Sequence, residues 1–361
     1  MEYQGSSDWD GLLDPLDDHL RAEILRYGTF VEAAYKSFEF DPSSPSYAAC
    51  RFPKSKFSDR CCLPSTTGYK VTMNLRATSG IELPRWVERA PCWFSNKSSN
   101  IGYVAVCDNK EEIRRLGRRD VVIAYRGTIT CLEWLENLRA NLTHIPLEGS
   151  ESEPEDHGPM VQSGFLSLYT SAACNSLSLQ QMVREEIHRI LQTYDGEPLS
   201  LTLTGHSLGA ALATLTAYDI KTSLWFEHRK PMVTVISFGG PRVGDWTFRQ
   251  ELENQGTKVL RIVNSDDVVT KVPGFVFERD DDVADGRSAH VARWVKKRLE
   301  DAQWTYAEVG KELRLRSTDS PYLSGLNAAT CHNLNTYLHL VDGFVGSTCP
   351  FRATAERFIR G

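Results

Sequence analysis

The chain has 361 residues, of which 41% are hydrophobic and 24% charged, enough to bury a substantial core in one large α/β domain or two ordinary ones. Its net charge of -6 excludes the global basic field that recruits nucleic acid. The nine cysteines lack CxxC spacing, so we expect a reducing compartment and mostly free thiols.

The N-terminal segment is predicted to be helical first and irregular afterwards. Residues 17–38 place apolar side chains at mixed three- and four-residue steps, which indicates helix pieces broken near Gly28. Residues 41–64 are rich in Pro, Ser, Cys and Lys, which is typical of a loop. The first 20 residues are acidic and lack both an apolar signal core and the composition of a transit peptide. We therefore expect either a cytosolic protein or a chain that begins after a removed targeting segment.

Predicted strands and helices alternate along the rest of the chain. Apolar runs predict strands at 101–106, 120–125, 199–204, 233–238 and 259–263, and other patterns predict helices at 110–119, 178–194 and 333–344. This alternation favours an α/β fold with a mostly parallel sheet covered by helices on both faces. Residues 198–218 carry no Asp, Glu, Lys or Arg, but polar residues interrupt them, so we expect no membrane span.

The most informative motif is the pentapeptide GHSLG at 205–209, which lies between a strand and a helix. The strand reads LSLTLT and the small-residue helix reads AALATLTAY. Strand, sharp turn and helix form the context of a nucleophile elbow, in which the turn strains the serine backbone and the glycines let the two elements approach. The pattern therefore predicts Ser207 as the nucleophile of an ester hydrolase.

A serine hydroxyl needs a base to remove its proton and an acid to orient that base. In this fold class the chain order is Ser, then Asp or Glu, then His. Asp266 and Asp267 follow the strand at 259–263, at the sheet edge where active sites of open α/β sheets gather. We choose Asp267, with capping of the next turn as the alternative role.

Four histidines lie downstream of the motif. His228 comes too early in chain order, and His290 begins a charged segment that is typical of a solvated helix start. His332 lies just before the last predicted helix, where a loop could aim its ring at the sheet edge, whereas His339 lies inside that helix. We prefer His332 as the base, with His339 second and His290 third.

The oxyanion of a tetrahedral intermediate needs hydrogen-bond donors. The amide of Leu208, the residue after the serine, is one candidate, and a loop after an early strand should supply another. The strand at 121–125 runs into Arg126, Gly127 and Thr128. Thr128 could provide both its amide and its hydroxyl.

Six segments stand out along the chain: YRGT at 125–128, VQSGFLSLY at 161–169, GHSLGAALA at 205–213, FGGPRVGD at 238–245, RIVNSDDVVTKVPG at 261–274 and CHNLNTYLHLVDGF at 331–344. In sequence and in order they resemble the class 3 lipases, a family that includes fungal triacylglycerol lipases and plant phospholipases A1. The N-terminal part resembles more specifically the plant phospholipases A1 linked to chloroplast lipid breakdown and jasmonate precursor release.

This resemblance implies an α/β-hydrolase fold, with residues 1–95 as a helical extension packed on a catalytic domain of residues 96–361. It implies release of sn-1 acyl chains from phosphatidylcholine, and often from galactolipids or triacylglycerol, at a membrane or lipid-droplet interface. By matching positions it assigns the same nucleophile, acid, base and oxyanion donors, and it requires no metal or organic cofactor. It also implies a chloroplast location, with the cytoplasm as the alternative.

The segment at 129–142 corresponds to the lid of these lipases. Four of its residues could form one apolar face, namely Leu132, Trp134, Leu135 and Leu138. A plain surface helix packed on the core is the alternative interpretation. The segment follows directly after residues 126–128, the candidate oxyanion loop, and this position favours a movable lid.

Two other functions stay open at this point. An esterase for small soluble esters would use the same residues, and a lipase-like scaffold would bind partners through an idle domain. The acidic stretch at 278–287 does not match the spacing of an EF-hand loop, so we expect no metal site there.

Overall fold

A seven-stranded sheet forms the centre of the molecule. The computed structural model describes residues 1–61, 63, 68–78, 98–128, 141–146, 158–173, 176–223, 231–271, 306–349 and 351–352. Its strands are β1 (Tyr69–Ala77), β2 (Ser99–Cys107), β3 (Arg119–Tyr125), β4 (Leu142–His144), β5 (Met160–Gln162), β6 (Leu199–His206), β7 (Met232–Phe238), β8 (Lys258–Asn264) and β9 (Lys311–Leu315).

The sheet is mostly parallel, as predicted. Its strand order is β1-β2-β3-β6-β7-β8-β9, and β4 pairs with β5 in a separate small sheet. The pairs β1–β2 and β2–β3 are antiparallel, whereas every neighbour from β3 to β9 is parallel. The carboxyl ends of five strands therefore meet at one edge, which is where an α/β-hydrolase fold builds its site.

Helices cover both faces of this sheet. They are α1 (Asp18–Lys36), α2 (Phe57–Arg60), α3 (Lys110–Leu116), α4 (Ser163–Thr170), α5 (Leu179–Thr193), α6 (Leu208–Thr222), α7 (Trp246–Asn254), α8 (Ala328–His332) and α9 (Leu334–Gly343). One apolar core lies between the sheet and α4, α5, α6 and α7, and a second lies between the sheet and α1 and α9. A capping box starts α5, because Ser178 and Gln181 bond each other's backbone N–H.

The predicted break near Gly28 is wrong, since α1 runs without interruption from Asp18 to Lys36. The glycine has a packing role instead. A Cβ at this position would lie 2.3 Å from Leu338 Cδ2 on α9 and 3.4 Å from Phe238 Cζ on β7. The missing side chain therefore lets α1 approach α9 and the sheet closely.

The predicted loop at 41–64 is interrupted by a short 3-10 turn and by α2. Four strands were not predicted, namely the short pair β4 and β5 and two strands of the large sheet. β1 reads YKVTMNLRA and β9 reads KELRL, and both lie at the edges of the sheet. Edge strands carry polar and charged residues that interrupt the apolar runs by which buried strands are recognised.

The described part of the chain includes four cysteines with free thiols, Cys50, Cys107, Cys331 and Cys349. Within the same residues, no helix is both long enough and apolar enough to cross a membrane. The domain division after residue 95 stays a prediction.

A buried carboxylate joins the N-terminal segment to the sheet. Asp120 on β3 is fully buried. It accepts hydrogen bonds from four hydroxyls, those of Ser200 (2.7 Å), Thr202 (2.9 Å), Tyr69 (2.9 Å) and Tyr27 (3.2 Å). Since Tyr27 lies on α1 and Tyr69 on β1, one side chain holds a helix, an edge strand and the central strands together.

We predict that Asp120→Ala lowers the free energy of unfolding by about 3 kcal/mol, because it leaves several buried hydroxyls without their acceptor. Denaturant unfolding measures this change. Asp10→Ala serves as the control, since Asp10 is exposed and only pairs with Lys311 at 3.4 Å on the surface. A loss no larger than that of the control would show that Asp120 does not hold these elements together.

Candidate active site

The motif at 205–209 forms a sharp turn between β6 and α6. Ser207 has φ 58° and ψ -125°, a positive φ that a residue with a side chain rarely adopts. Its N–H donates to the carbonyl of Phe238 on β7 at 3.0 Å, which holds the strained turn against the sheet. The geometry is that of a nucleophile elbow, in which the serine stands at the carboxyl edge of the sheet.

The two glycines of the motif are required by backbone contacts. A Cβ on Gly205 would lie 2.3 Å from the carbonyl carbon of Gly209. A Cβ on Gly209 would lie 2.6 Å from the carbonyl oxygens of both Tyr125 and Arg126. Backbone atoms cannot rotate out of the way as a side chain can, so neither position accepts a larger residue without moving the turn.

Asp267 and His332 form a buried pair. The two residues are 0% and 4% exposed, and the distance from His332 Nδ1 to Asp267 Oδ2 is 2.7 Å. Asp267 lies in the turn after β8 and also accepts the Val269 N–H at 2.9 Å. Because a carboxylate accepts, His332 donates from Nδ1, which leaves the lone pair of Nε2 for a proton from another group.

His206 connects this pair to the elbow. Its Nε2 lies 2.7 Å from the carbonyl oxygen of His332, and the two rings are 4.7 Å apart between centroids. Burial, and then the nearby ring of His332, lower the pKa of His206 well below its usual value. His206 is therefore neutral, and it holds the backbone of His332 against the residue that precedes Ser207 without adding a charge.

The other acid and base candidates lie elsewhere. His339 Nε2 is 2.8 Å from Ser320 Oγ, and its ring packs against Phe351. Asp266 accepts the N–H of Thr318 at 3.1 Å. The structure therefore brings His332, and not His339, together with Asp267, and their catalytic roles stay a prediction. His228 and His290 lie outside the described residues.

Sequence reasoning missed two residues that orient this pair. Tyr337 on α9 donates its hydroxyl to Asp267 Oδ2 at 2.6 Å. Burial and then the adjacent carboxylate raise the pKa of Tyr337 well above its usual value, so the hydroxyl keeps its proton. Asn264, the last residue of β8, donates from Nδ2 to the carbonyl of Cys331 at 2.9 Å. The signal in the sequence that could have found them is their position, since each lies within five residues of the predicted acid or base.

The loop at 126–128 lies against the elbow. A Cβ on Gly127 would be 3.0 Å from Ser207 Cβ. Thr128 is buried, and among the described residues its hydroxyl oxygen has no hydrogen-bond partner. Leu208 is the first residue of α6, so its N–H has no acceptor within the helix. The predicted donors therefore lie on the two segments that meet at Ser207, and the apolar residues Leu132, Trp134, Leu135 and Leu138 lie outside the described residues.

We predict that Gly205→Ala destabilises the fold by more than about 3 kcal/mol, because its Cβ would overlap the backbone of Gly209. The matched control is Gly196→Ala, where φ is 84° and no atom of the described residues lies within 4 Å of the Cβ position. In the control, only the conformational cost of a positive φ is added, about 1–2 kcal/mol. Urea unfolding compares the two, and equal losses would contradict the steric explanation.

The sequence profile of the family Lipase (class 3) matches residues 122–277. Among solved structures, lipase II from Rhizopus niveus aligns over 72% of this chain and 77% of its own, at 20% identity and a TM-score of 0.46. The galactolipase DONGLE, chloroplastic, of Arabidopsis thaliana is 38% identical over 94% of this chain and 69% of its own length. The phospholipase A(1) DAD1, chloroplastic, of the same plant is 66% identical over 99% of this chain and 79% of its own. With a relative of that similarity, the chain belongs to the class 3 lipases, close to the plant chloroplastic phospholipases A1.

Proposed function

We propose that this chain is a serine acyl hydrolase that releases the fatty acid from the sn-1 position of glycerolipids. The observation that carries the proposal is the 2.7 Å contact between His332 Nδ1 and buried Asp267. It is joined through His206 to Ser207, which is held at positive φ. Class 3 relatives whose names are phospholipase A(1) and galactolipase support phospholipids and galactolipids as substrates. Triacylglycerol is a further candidate substrate.

Acylation begins when Ser207 Oγ attacks the ester carbonyl carbon and His332 Nε2 takes the hydroxyl proton. Asp267 keeps Nδ1–H in place and stabilises the imidazolium that forms. The tetrahedral intermediate then collapses, the bond to the glycerol oxygen breaks, and that oxygen takes the proton from Nε2. The lyso-lipid leaves, and the fatty acyl group remains as an ester on Ser207.

Deacylation repeats these steps with water. His332 Nε2 takes a proton from the water while its oxygen attacks the acyl carbon, and the second tetrahedral intermediate releases the fatty acid and restores the Ser207 hydroxyl. In both halves the negative oxygen needs donors, which we assign to the amides of Leu208 and Thr128 and to the Thr128 hydroxyl. That hydroxyl is buried and has no hydrogen-bond partner among the residues that the structure describes, which supports this role.

Access to the nucleophile requires a movement. Ser207 is only 1% exposed, so a lipid ester reaches it after a covering segment opens. We propose residues 129–142 as that lid, with Trp134 in the apolar face that meets a membrane or lipid-droplet surface. The names of the relatives, which include the word chloroplastic, support the chloroplast as the location.

We predict that Ser207→Ala and His332→Ala each lower kcat by at least about ten-thousand-fold, because members of a catalytic triad act as one unit. Release of labelled fatty acid from sn-1-labelled phosphatidylcholine vesicles measures this effect. The control is His339→Gln, which keeps a polar partner for Ser320 and is expected to retain wild-type kcat. Full activity of Ser207→Ala would contradict the mechanism.

The same assay ranks substrates when monogalactosyldiacylglycerol and a soluble short-chain ester are run beside phosphatidylcholine. Ser207-dependent release of the sn-1 label from lipids is the expected result. Activity on the soluble ester alone would show that the chain is an esterase for small esters. Inactivity on all three substrates would favour the non-catalytic scaffold.

We predict that Trp134→Ala lowers the rate on vesicles about ten-fold and leaves the rate on a monomeric soluble ester unchanged, because burial of an aromatic side chain in the interface is lost. Trp246→Ala is the control, since Trp246 is a 58% exposed tryptophan on α7. Equal losses on both substrates would argue against the lid.

A further inference from the structure

The loop at 126–128 is tied to α1 by a chain of hydrogen bonds. Gly127 N–H donates to Tyr35 Oη at 2.9 Å, and Tyr35 Oη lies 2.8 Å from His206 Nδ1. The other ring nitrogen of His206 lies 2.7 Å from the carbonyl oxygen of His332. One tyrosine of the N-terminal segment therefore contacts the oxyanion loop and, through a single imidazole, the backbone of the proposed base.

Each hydrogen bond in this series has one possible donor and one possible acceptor. The carbonyl of His332 can only accept, so His206 carries its proton on Nε2. His206 is neutral because burial lowers its pKa well below the usual value, and Nδ1 is then an acceptor. The Tyr35 hydroxyl must therefore donate a hydrogen bond to His206 Nδ1 and accept one from the Gly127 N–H. The Tyr35 hydroxyl fills both roles with one oxygen, and a phenylalanine at this position would leave both Gly127 N–H and His206 Nδ1 without this partner.

The opposite side of Gly127 is held as well. Arg126 Nη1 donates to the Gly127 carbonyl at 2.7 Å, and Arg126 Nε donates to the Asn100 carbonyl at 2.9 Å. The guanidinium also lies 3.8 Å from the centre of the Phe38 ring, two residues beyond α1. Because a trans peptide is planar, fixing the Gly127 carbonyl points the Thr128 N–H in the opposite direction.

We propose that Tyr35 is a positioning residue for the oxyanion hole: it fixes the Gly127 amide so that Thr128 presents its donors to the reacting oxygen, and it fixes His332 through His206. This inference rests on the proposed function, since it assigns a role within that site. It makes α1 part of the catalytic apparatus, although α1 lies outside the residues 122–277 that match the family profile.

The consequence for rate follows from how oxyanion donors act. A donor placed in advance stabilises charge that develops only in the transition state, so its displacement lowers kcat and leaves ground-state binding in place. Loss of one whole donor costs about a hundred- to a thousand-fold in kcat. Tyr35 acts through the loop, so we expect a smaller effect of about ten- to a hundred-fold.

The test compares Tyr35→Phe with Tyr27→Phe in the full chain. Both remove one hydrogen-bonded hydroxyl from α1, but Tyr27 bonds to Asp120, away from the loop at 126–128. The expected result for Tyr35→Phe is a ten- to a hundred-fold lower kcat on phosphatidylcholine vesicles with KM within about two-fold, as estimated for one displaced donor. Tyr27→Phe is expected to lower the melting temperature and to keep wild-type kcat.

A second readout separates positioning from loss of folded enzyme. Ser207 Oγ adds to the carbonyl carbon of a fatty-acyl trifluoromethyl ketone while its proton moves to His332 Nε2, which places an oxyanion in the hole. The inhibition constant of this ketone is therefore expected to rise by the same factor by which kcat/KM falls. A variant that is only partly folded lowers kcat without moving that constant. His206→Phe removes the next group in this series of hydrogen bonds. If Tyr35→Phe does not fold, kcat and the inhibition constant are measured on this variant instead.

Wild-type kcat and an unchanged inhibition constant in Tyr35→Phe would overturn the inference while leaving the proposed function intact. A fall in kcat with an unchanged inhibition constant would also overturn it, since the role would then be structural. A wild-type chain that is inactive on every ester, and that does not bind the ketone, would instead contradict the proposed function.

Discussion

The close backbone approach at the start of α6 is the constraint on which the rest of the site depends. The turn at Ser207 exists because Gly205 and Gly209 bring strand and helix into contact where a Cβ would overlap backbone atoms. The hydrogen bond from the Ser207 amide to Phe238 then holds the turn against the sheet. Since the glycine at 209 also admits the carbonyls of Tyr125 and Arg126, the same contact sets the distance between the elbow and the oxyanion loop.

The polar groups around this turn are buried and mostly paired. Asp267 is surrounded by donors from His332, Tyr337 and the Val269 amide, so its charge is stabilised without a neighbouring cation among these contacts. A buried network of this kind holds its members in one geometry, because any rotation would leave an unpaired buried group. In the proposed mechanism this rigidity keeps the His332 ring oriented while the proton moves.

The N-terminal segment belongs to this architecture physically. Its helix α1 covers one face of the sheet beside α9, and β1 extends the sheet along β2. Asp120 anchors both elements at the amino end of β3, while Tyr35 reaches the loop at the carboxyl end of the same strand. Helix α1 thus contacts both ends of β3, and its packing and the geometry of the site are coupled.

Apolar runs, glycine spacing and chain order are local patterns, and they were enough to predict the sheet class, the sharp turn at Ser207 and Asp267 as the candidate acid. They also favoured His332, whose place before a helix is visible in the sequence. Only contacts between elements placed His332, and not His339, against Asp267, kept α1 continuous through Gly28, and brought Tyr337 and Tyr35 into contact with the candidate site. Those decisions depend on contacts between elements that lie far apart along the chain, and no local periodicity encodes them.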